Sequence, residues 1–136
     1  MHACPTHIDV PSFIKKIASG NLTGSARGIF DANPIGSTSA RVCPVDVLCE
    51  GASVEKTLVE KPIEIGRLQR YVTEHVLKSS NGLFAKGEPN GKSVGVIGSG
   101  LAGLSCATYL ARLGYVVTVY ERCEKPGGLD SYGMAE

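Results

Sequence analysis

Apolar positions recur at helical spacing in the first half of the chain and at strand spacing near its end. Asp9, Val10 and Pro11 form a helix-start signal, since an Asp side chain accepts free backbone N–H groups and Pro suits a first turn. Phe13, Ile14 and Ile17 give that helix one apolar stripe, and Gly20 stops it. Thr23 is expected to cap a second helix through Phe30, which must end before Pro34. Residues 34–52 show no clear period and read as loop or short helical turns. From Pro62 the helical pattern returns: Ile65, Leu68, Val72 and Val76 share one face, while Glu64, Arg67, Arg70 and Glu74 take the other. After a stretch rich in turn formers, residues 93–97 read as a short buried strand. A glycine turn, a helix over 101–113 and a second strand over 116–120 follow, in the order β-α-β. The expected organisation is a helical domain over 1–80, a linker over 81–92 and the β-α-β start of a Rossmann-like domain over 93–136.

Composition narrows the partners. Lys plus Arg total 14 against 13 Asp plus Glu, a net charge of +1, so no strong field exists to hold nucleic acid or an acidic membrane. No apolar run reaches the roughly 20 residues that span a bilayer, and the N-terminus lacks the order of a signal peptide. A cytoplasmic protein is expected. The chain has five cysteines, Cys4, Cys43, Cys49, Cys106 and Cys123; an odd count without an export signal favours thiols or metal ligands over disulfides. Cys106 is expected to be a small buried hydrophobe facing the sheet, Cys123 lies in a loop, and His2, His7 and His75 show no metal spacing. No catalytic acid, base or nucleophile is identifiable.

Gly98-Ser99-Gly100-Leu101-Ala102-Gly103 fits G-x-G-x-x-G and sits between a strand and a helix. The first glycine permits the turn, the second the approach of a pyrophosphate, and the third close helix–strand packing. The helix N-terminus then offers free N–H groups to the phosphates. Glu121 ends the second strand, where its carboxylate can accept hydrogen bonds from ribose hydroxyls and disfavours a 2′-phosphate, so the first nucleotide is FAD or NAD. Downstream, Glu121 to Leu129 includes the Gly127-Gly128 pair, and the segment resembles the signature of the two-dinucleotide-binding flavoproteins. That resemblance implies FAD, held through Gly98, Ser99, Gly100, Leu101, Ala102, Gly103, Glu121, Gly128 and Leu129.

Cys-Pro pairs occur in ferredoxin-type sites, but the spacing of Cys4, Cys43 and Cys49 alone is weak. Cys4-Pro5-Thr6, Asn33-Pro34-Ile35-Gly36, Arg41-Val42-Cys43-Pro44, Leu48-Cys49 and the run from Pro62 through Gln69-Arg70 follow in the order seen in dihydropyrimidine dehydrogenases. They also resemble the small subunit of bacterial glutamate synthase. The resemblance implies a helical domain with 4Fe-4S clusters, in which Cys4, Cys43, Cys49 and Gln69 ligate one cluster. Glutamine at that position belongs to the dihydropyrimidine dehydrogenase branch. Read from the residues alone, Gln69 is an inward-facing amide that needs partners; the resemblance makes it a ligand, and the alternative is a core glutamine bonded to backbone. The family's second cluster draws three ligands from upstream sequence and one from the position of Ser53, so one cluster at most is expected here. In the intact family NADPH reduces FAD, and electrons leave through the clusters.

The reading is thus an electron-transfer segment of an NADPH-dependent FAD and iron-sulfur oxidoreductase, truncated in its FAD domain. It would work with the remainder of that enzyme or a catalytic subunit, and the intact family admits a homo-oligomer. The alternatives are a glutamate synthase small-subunit-like electron carrier and a cluster-free, non-catalytic interaction fragment.

Overall fold

The computed structural model describes residues 3–58, 61–79 and 82–134. The chain divides into two compact units, Met1–Leu83 and Phe84–Glu136. His2 and the ends of the expected 1–80 domain lie outside the described residues.

In the first unit, helix α1 spans Val10–Ala18, with Asp9 accepting from the Ser12 N–H at 3.2 Å and Pro11 in its first turn. Gly20, at φ +78°, then reverses the chain. Helix α2 spans Leu22–Ala32, and its cap is Asn21 rather than Thr23: Asn21 Oδ1 accepts from Gly24 N at 2.9 Å. The left-handed turn at Gly20 puts Asn21 at the point of entry and leaves Thr23 inside the first turn. The helix also runs past Phe30, ending at Asn33 just before Pro34.

Residues 34–52, read as loop or short helical turns, hold a short helix followed by turns. Helix α3 spans Gly36–Val42, where Gly36 packs so closely on α2 that a Cβ would meet Ile29 Cγ2 at 2.6 Å. Hydrogen-bonded turns then carry the chain over residues 43–53, with Leu48 N donating to the Pro44 carbonyl at 3.2 Å and Ala52 N to Leu48 at 3.0 Å. After the single-turn α4 (Glu55–Leu58) comes the long α5 (Ile65–Lys78).

Helix α1 packs on α2, and both α2 and α3 pack on α5. The core between them is Ile8, Phe13, Ala26, Ile29, Ile65, Val72 and Val76, which is the buried stripe that the helical periods require. Arg41 of α3 reaches Glu74 of α5 at 2.7 Å, and Arg70 meets the same carboxylate oxygen. His75 is exposed on α5.

In the second unit, parallel strands β1 (Ser93–Ile97) and β2 (Val116–Tyr120) pair from Ser93↔Val116 to Ile97↔Tyr120 and are joined by α6 (Leu101–Arg112). A short α7 spans Leu129–Tyr132. The strand expected to be buried is covered on one face only: Val94, Val96, Val117 and Val119 are half-buried, whereas Ile97 is 93% exposed. A single helix cannot cover both faces of a parallel sheet. Cys106 is exposed, not turned to the sheet. The half-buried stripe of α6 includes Gly103, Ala107 and Leu110, and Cys106 lies outside it.

Residues 84–92, assigned to the linker on sequence, belong to this second unit. Gly87 N bonds the Ala111 carbonyl and Asn90 N the Gly114 carbonyl, each at 3.1 Å, pinning the segment to the turn after α6. Among the described residues, no helix is long and apolar enough to cross a membrane.

Candidate metal centre and dinucleotide loop

Four residues remote in sequence line one cavity of about 150 Å³ in the first unit: Cys4, Cys43, Cys49 and Gln69. Thr6, Asn33 and Ser39 add polar atoms to its wall, and Pro5, Ile8, Val45 and Leu48 make the rest apolar.

Cys4 sits in a tight loop before α1, closed by His7 N donating to the Cys4 carbonyl at 3.0 Å. His7 holds φ +57°, a left-handed conformation that costs a non-glycine residue about 1–2 kcal/mol. Burial raises the Cys4 pKa, but this is outweighed by hydrogen bonds from the Thr6 hydroxyl and the N–H groups of Ile8, Thr6 and His7, and the net shift is downward. The loop therefore favours a thiolate, the form that binds metal.

Cys43 ends α3 in extended conformation, and Cys49 lies in the turns that follow. Burial pushes the Cys49 thiol up, and the charges of Glu50 and Cys4 add to this. Gln69 is 8% exposed on the inward face of α5. Its Nε2 donates to the Gly36 carbonyl at 2.9 Å, which leaves Oε1 as the amide's coordinating atom. The backbone bond is the one the core-glutamine reading expects, and Gln69 also lines the cavity with the three cysteines.

Among the described residues, no three His, Cys, Asp or Glu side chains converge as they would round a single ion. A 4Fe-4S cube is far larger than an ion, so its ligands must stand apart. Three soft thiolate donors and an amide oxygen around a mostly apolar cavity fit that group.

The second unit presents the glycine turn. Gly98, at φ +91°, donates its N–H to the Tyr120 carbonyl at 2.7 Å and turns the chain out of β1. A Cβ on Gly103 would overlap the Gly98 carbonyl oxygen, so helix and strand touch there, while a Cβ on Gly100 would meet nothing. Gly127 N donates to the Ser99 carbonyl at 2.9 Å, and Gly128 approaches so closely that its Cβ would lie 2.9 Å from Gly100 Cα. The downstream glycine pair is thus laid on the upstream turn. Leu101 opens α6 half-buried, whereas Ala102 and Leu129 are exposed.

Glu121 completes the loop. Its Oε2 accepts from both the N–H (2.8 Å) and the hydroxyl of Ser99, and its Oε1 from Cys123 N at 2.7 Å. These donors, Cys123 N–H foremost and then the Ser99 hydroxyl and N–H, pull the carboxyl pKa down to about 2. A lowered folded-state pKa gives stabilisation that is full above the ordinary carboxylate pKa and is lost as pH falls toward the folded value. We therefore expect the Ser99 and Cys123 amide resonances to titrate together with a midpoint near pH 2. The transition should be absent in Glu121→Gln, and a midpoint at the ordinary carboxylate value would contradict the geometry.

A family model described as dihydropyrimidine dehydrogenase domain II, 4Fe-4S cluster, matches residues 1–81. The chain belongs to this family. A second model, for a NAD(P)-binding Rossmann-like domain, matches residues 96–132. The NAD-dependent dihydropyrimidine dehydrogenase subunit PreT of Salmonella typhimurium is 37% identical over 132 residues, which is 97% of this chain and 32% of that protein. The homolog of this subunit in Salmonella typhi aligns with the same figures. The PreT subunit of Escherichia coli is 39% identical over 126 residues, 93% of this chain and 30% of its own length. The chain thus spans about a third of the length of the curated relatives it matches.

Within this dihydropyrimidine dehydrogenase domain II fold, sequence reasoning gave no role to Glu50 beside the cavity or to the Asn33 and Ser39 side chains on its wall. Glu50 Oε1 accepts from Gly66 N at 2.9 Å, capping α5 from the cysteine loop, because Glu64 makes no side-chain cap of its own. Asn33 and Ser39 bond each other at 2.8 Å on the cavity wall. The sequence signals are that Glu50 directly follows Cys49 and that Asn33 opens the Asn33-Pro34-Ile35-Gly36 run.

Proposed function

We propose that this chain is the electron-transfer segment of a dihydropyrimidine dehydrogenase-type oxidoreductase, with one 4Fe-4S cluster in its helical unit and a dinucleotide on its glycine turn. The observation that carries the reading is the gathering of Cys4, Cys43, Cys49 and Gln69 on one cavity, from separate parts of the sequence. The bound groups bring one-electron transfer at the cluster and conversion of a hydride into single electrons at a flavin. The chain's own residues hold and shield them. The Cys4 loop shifts its thiol toward the thiolate, Gln69 is fixed by the Gly36 carbonyl, and Ile8, Val45 and Leu48 give the cavity apolar walls.

FAD is the proposed dinucleotide. Its support is Gly127-Gly128 seated on the first glycine turn beside Glu121, whose carboxylate suits ribose hydroxyls rather than a 2′-phosphate. In place of the NADPH implied by the sequence resemblance, NADH is the proposed electron source in the intact protein, since the relatives' names say NAD-dependent. Pyrimidine reduction would then occur on a catalytic partner, in keeping with relatives that are named as subunits.

Anaerobic reconstitution of the chain with iron and sulfide tests the reading. A brown protein holding about four irons and as many labile sulfides is expected. A colourless, iron-free product would favour a cluster-free interaction module instead.

A further inference from the structure

Ser39 stands on α3 one turn before Cys43, whose N–H donates to the Ser39 carbonyl at 3.0 Å. A serine inside a helix commonly returns its hydroxyl proton to the carbonyl one turn back. Ser39 does not. Its Oγ accepts from Asn33 Nδ2 at 2.8 Å, and among the described residues no acceptor takes its proton. Asn33 is itself held, 5% exposed, with Oδ1 accepting from Ile35 N at 3.2 Å. Both side chains line the cavity with the three cysteines.

The other polar groups of the wall are engaged. The Thr6 hydroxyl lies 3.5 Å from Cys4 Sγ, and the Gln69 amide nitrogen is spent on Gly36. With a lone pair occupied by Asn33, the Ser39 O–H is left to point into the cavity. We propose that Ser39, oriented by Asn33, is a positioning residue that donates a hydrogen bond to a sulfur of the cluster and raises its reduction potential.

The inference rests on the cluster reading given above. When the cluster takes up one electron its sulfurs become more negative. A fixed donor then stabilises the reduced form more than the oxidised one, and hydrogen bonds to sulfur are among the factors that set such potentials.

A redox titration of the reconstituted full chain, followed by the paramagnetic signal of the reduced cluster, tests this. Ser39→Ala is expected to lower the equilibrium constant for reduction about tenfold, a midpoint lower by about 59 mV for one electron. Ser39→Thr, which keeps the hydroxyl, should return to the wild-type value. If alanine leaves Asn33 unpaired and opens the helix pair, Ser39→Cys takes its place, and its weaker donor should give a smaller shift of the same sign. Equal midpoints in wild type and variants would overturn the assignment. So would loss of the cluster from a Ser39→Ala chain of normal helicity, which would mark the hydroxyl as merely structural. An iron-free wild type would instead remove the cluster reading, and this inference with it.

Discussion

Reconstituted Cys43→Ala is expected to hold less than about one iron per chain, where the parent holds about four. The thiol of Cys43 has no part in the helix it ends. The backbone N–H makes the terminal bond of α3, and alanine preserves it. Helicity should therefore survive while the donor set falls from three thiolates and an amide to two thiolates and an amide. Cys106→Ala is the matched control, because Cys106 lies exposed on α6 in the other unit and its loss should leave iron content unchanged. Iron and sulfide analysis beside a far-ultraviolet spectrum distinguishes a missing ligand from a missing fold. Retention of four irons in Cys43→Ala would remove this residue from the site.

The second large effect is expected in the glycine turn. In Gly103→Ala the new methyl would overlap the Gly98 carbonyl oxygen and press on Val96 Cγ1 at 3.4 Å. The overlap is with backbone, so α6 must move off β1, at a cost of about 1–3 kcal/mol by analogy with overpacked cores. The second unit has little stability to lose, since among the described residues every buried apolar side chain belongs to the first. Loss of the β-α-β resonances and of ADP binding is expected, with the helical unit intact. Gly100→Ala separates packing from recognition: its methyl meets nothing within 4 Å, so the fold should persist while a pyrophosphate is kept from the backbone. Equal ADP affinity in all three proteins would show that the turn does not bind the nucleotide.

These two sites differ in how far the sequence discloses them. The glycine turn is local: a period-two strand, three glycines, a helix and Glu121 follow one another, and each has a steric reason. Helices α1 and α5 are equally plain, because their apolar stripes repeat at helical spacing. Helix α3 has no such stripe. Its Gly-Ser-Thr-Ser opening has weak intrinsic preference, and it is held from outside by Asn33 before it and Glu74 across from it.

The cysteine cavity is non-local, so spacing could not assemble it and only the family resemblance brought its four members together. Asn21 and Thr23 were both competent caps, and the left-handed turn at Gly20 decided between them. Glu50 escaped for a related reason: the N–H it caps belongs to Gly66, sixteen residues later.

Cys4 precedes the first helix of its unit and Gln69 lies on the last, so the wall they share exists only once the chain between them has folded. A ligand that bridges them acts as a crosslink. It closes a long loop that the unfolded chain leaves open, and its binding free energy adds to that of folding. The small apolar core between the helices would then be only one of two fasteners. Oxidative loss of the inorganic group should loosen the helices together, turning damage to the cofactor into exposure of the chain to proteolysis.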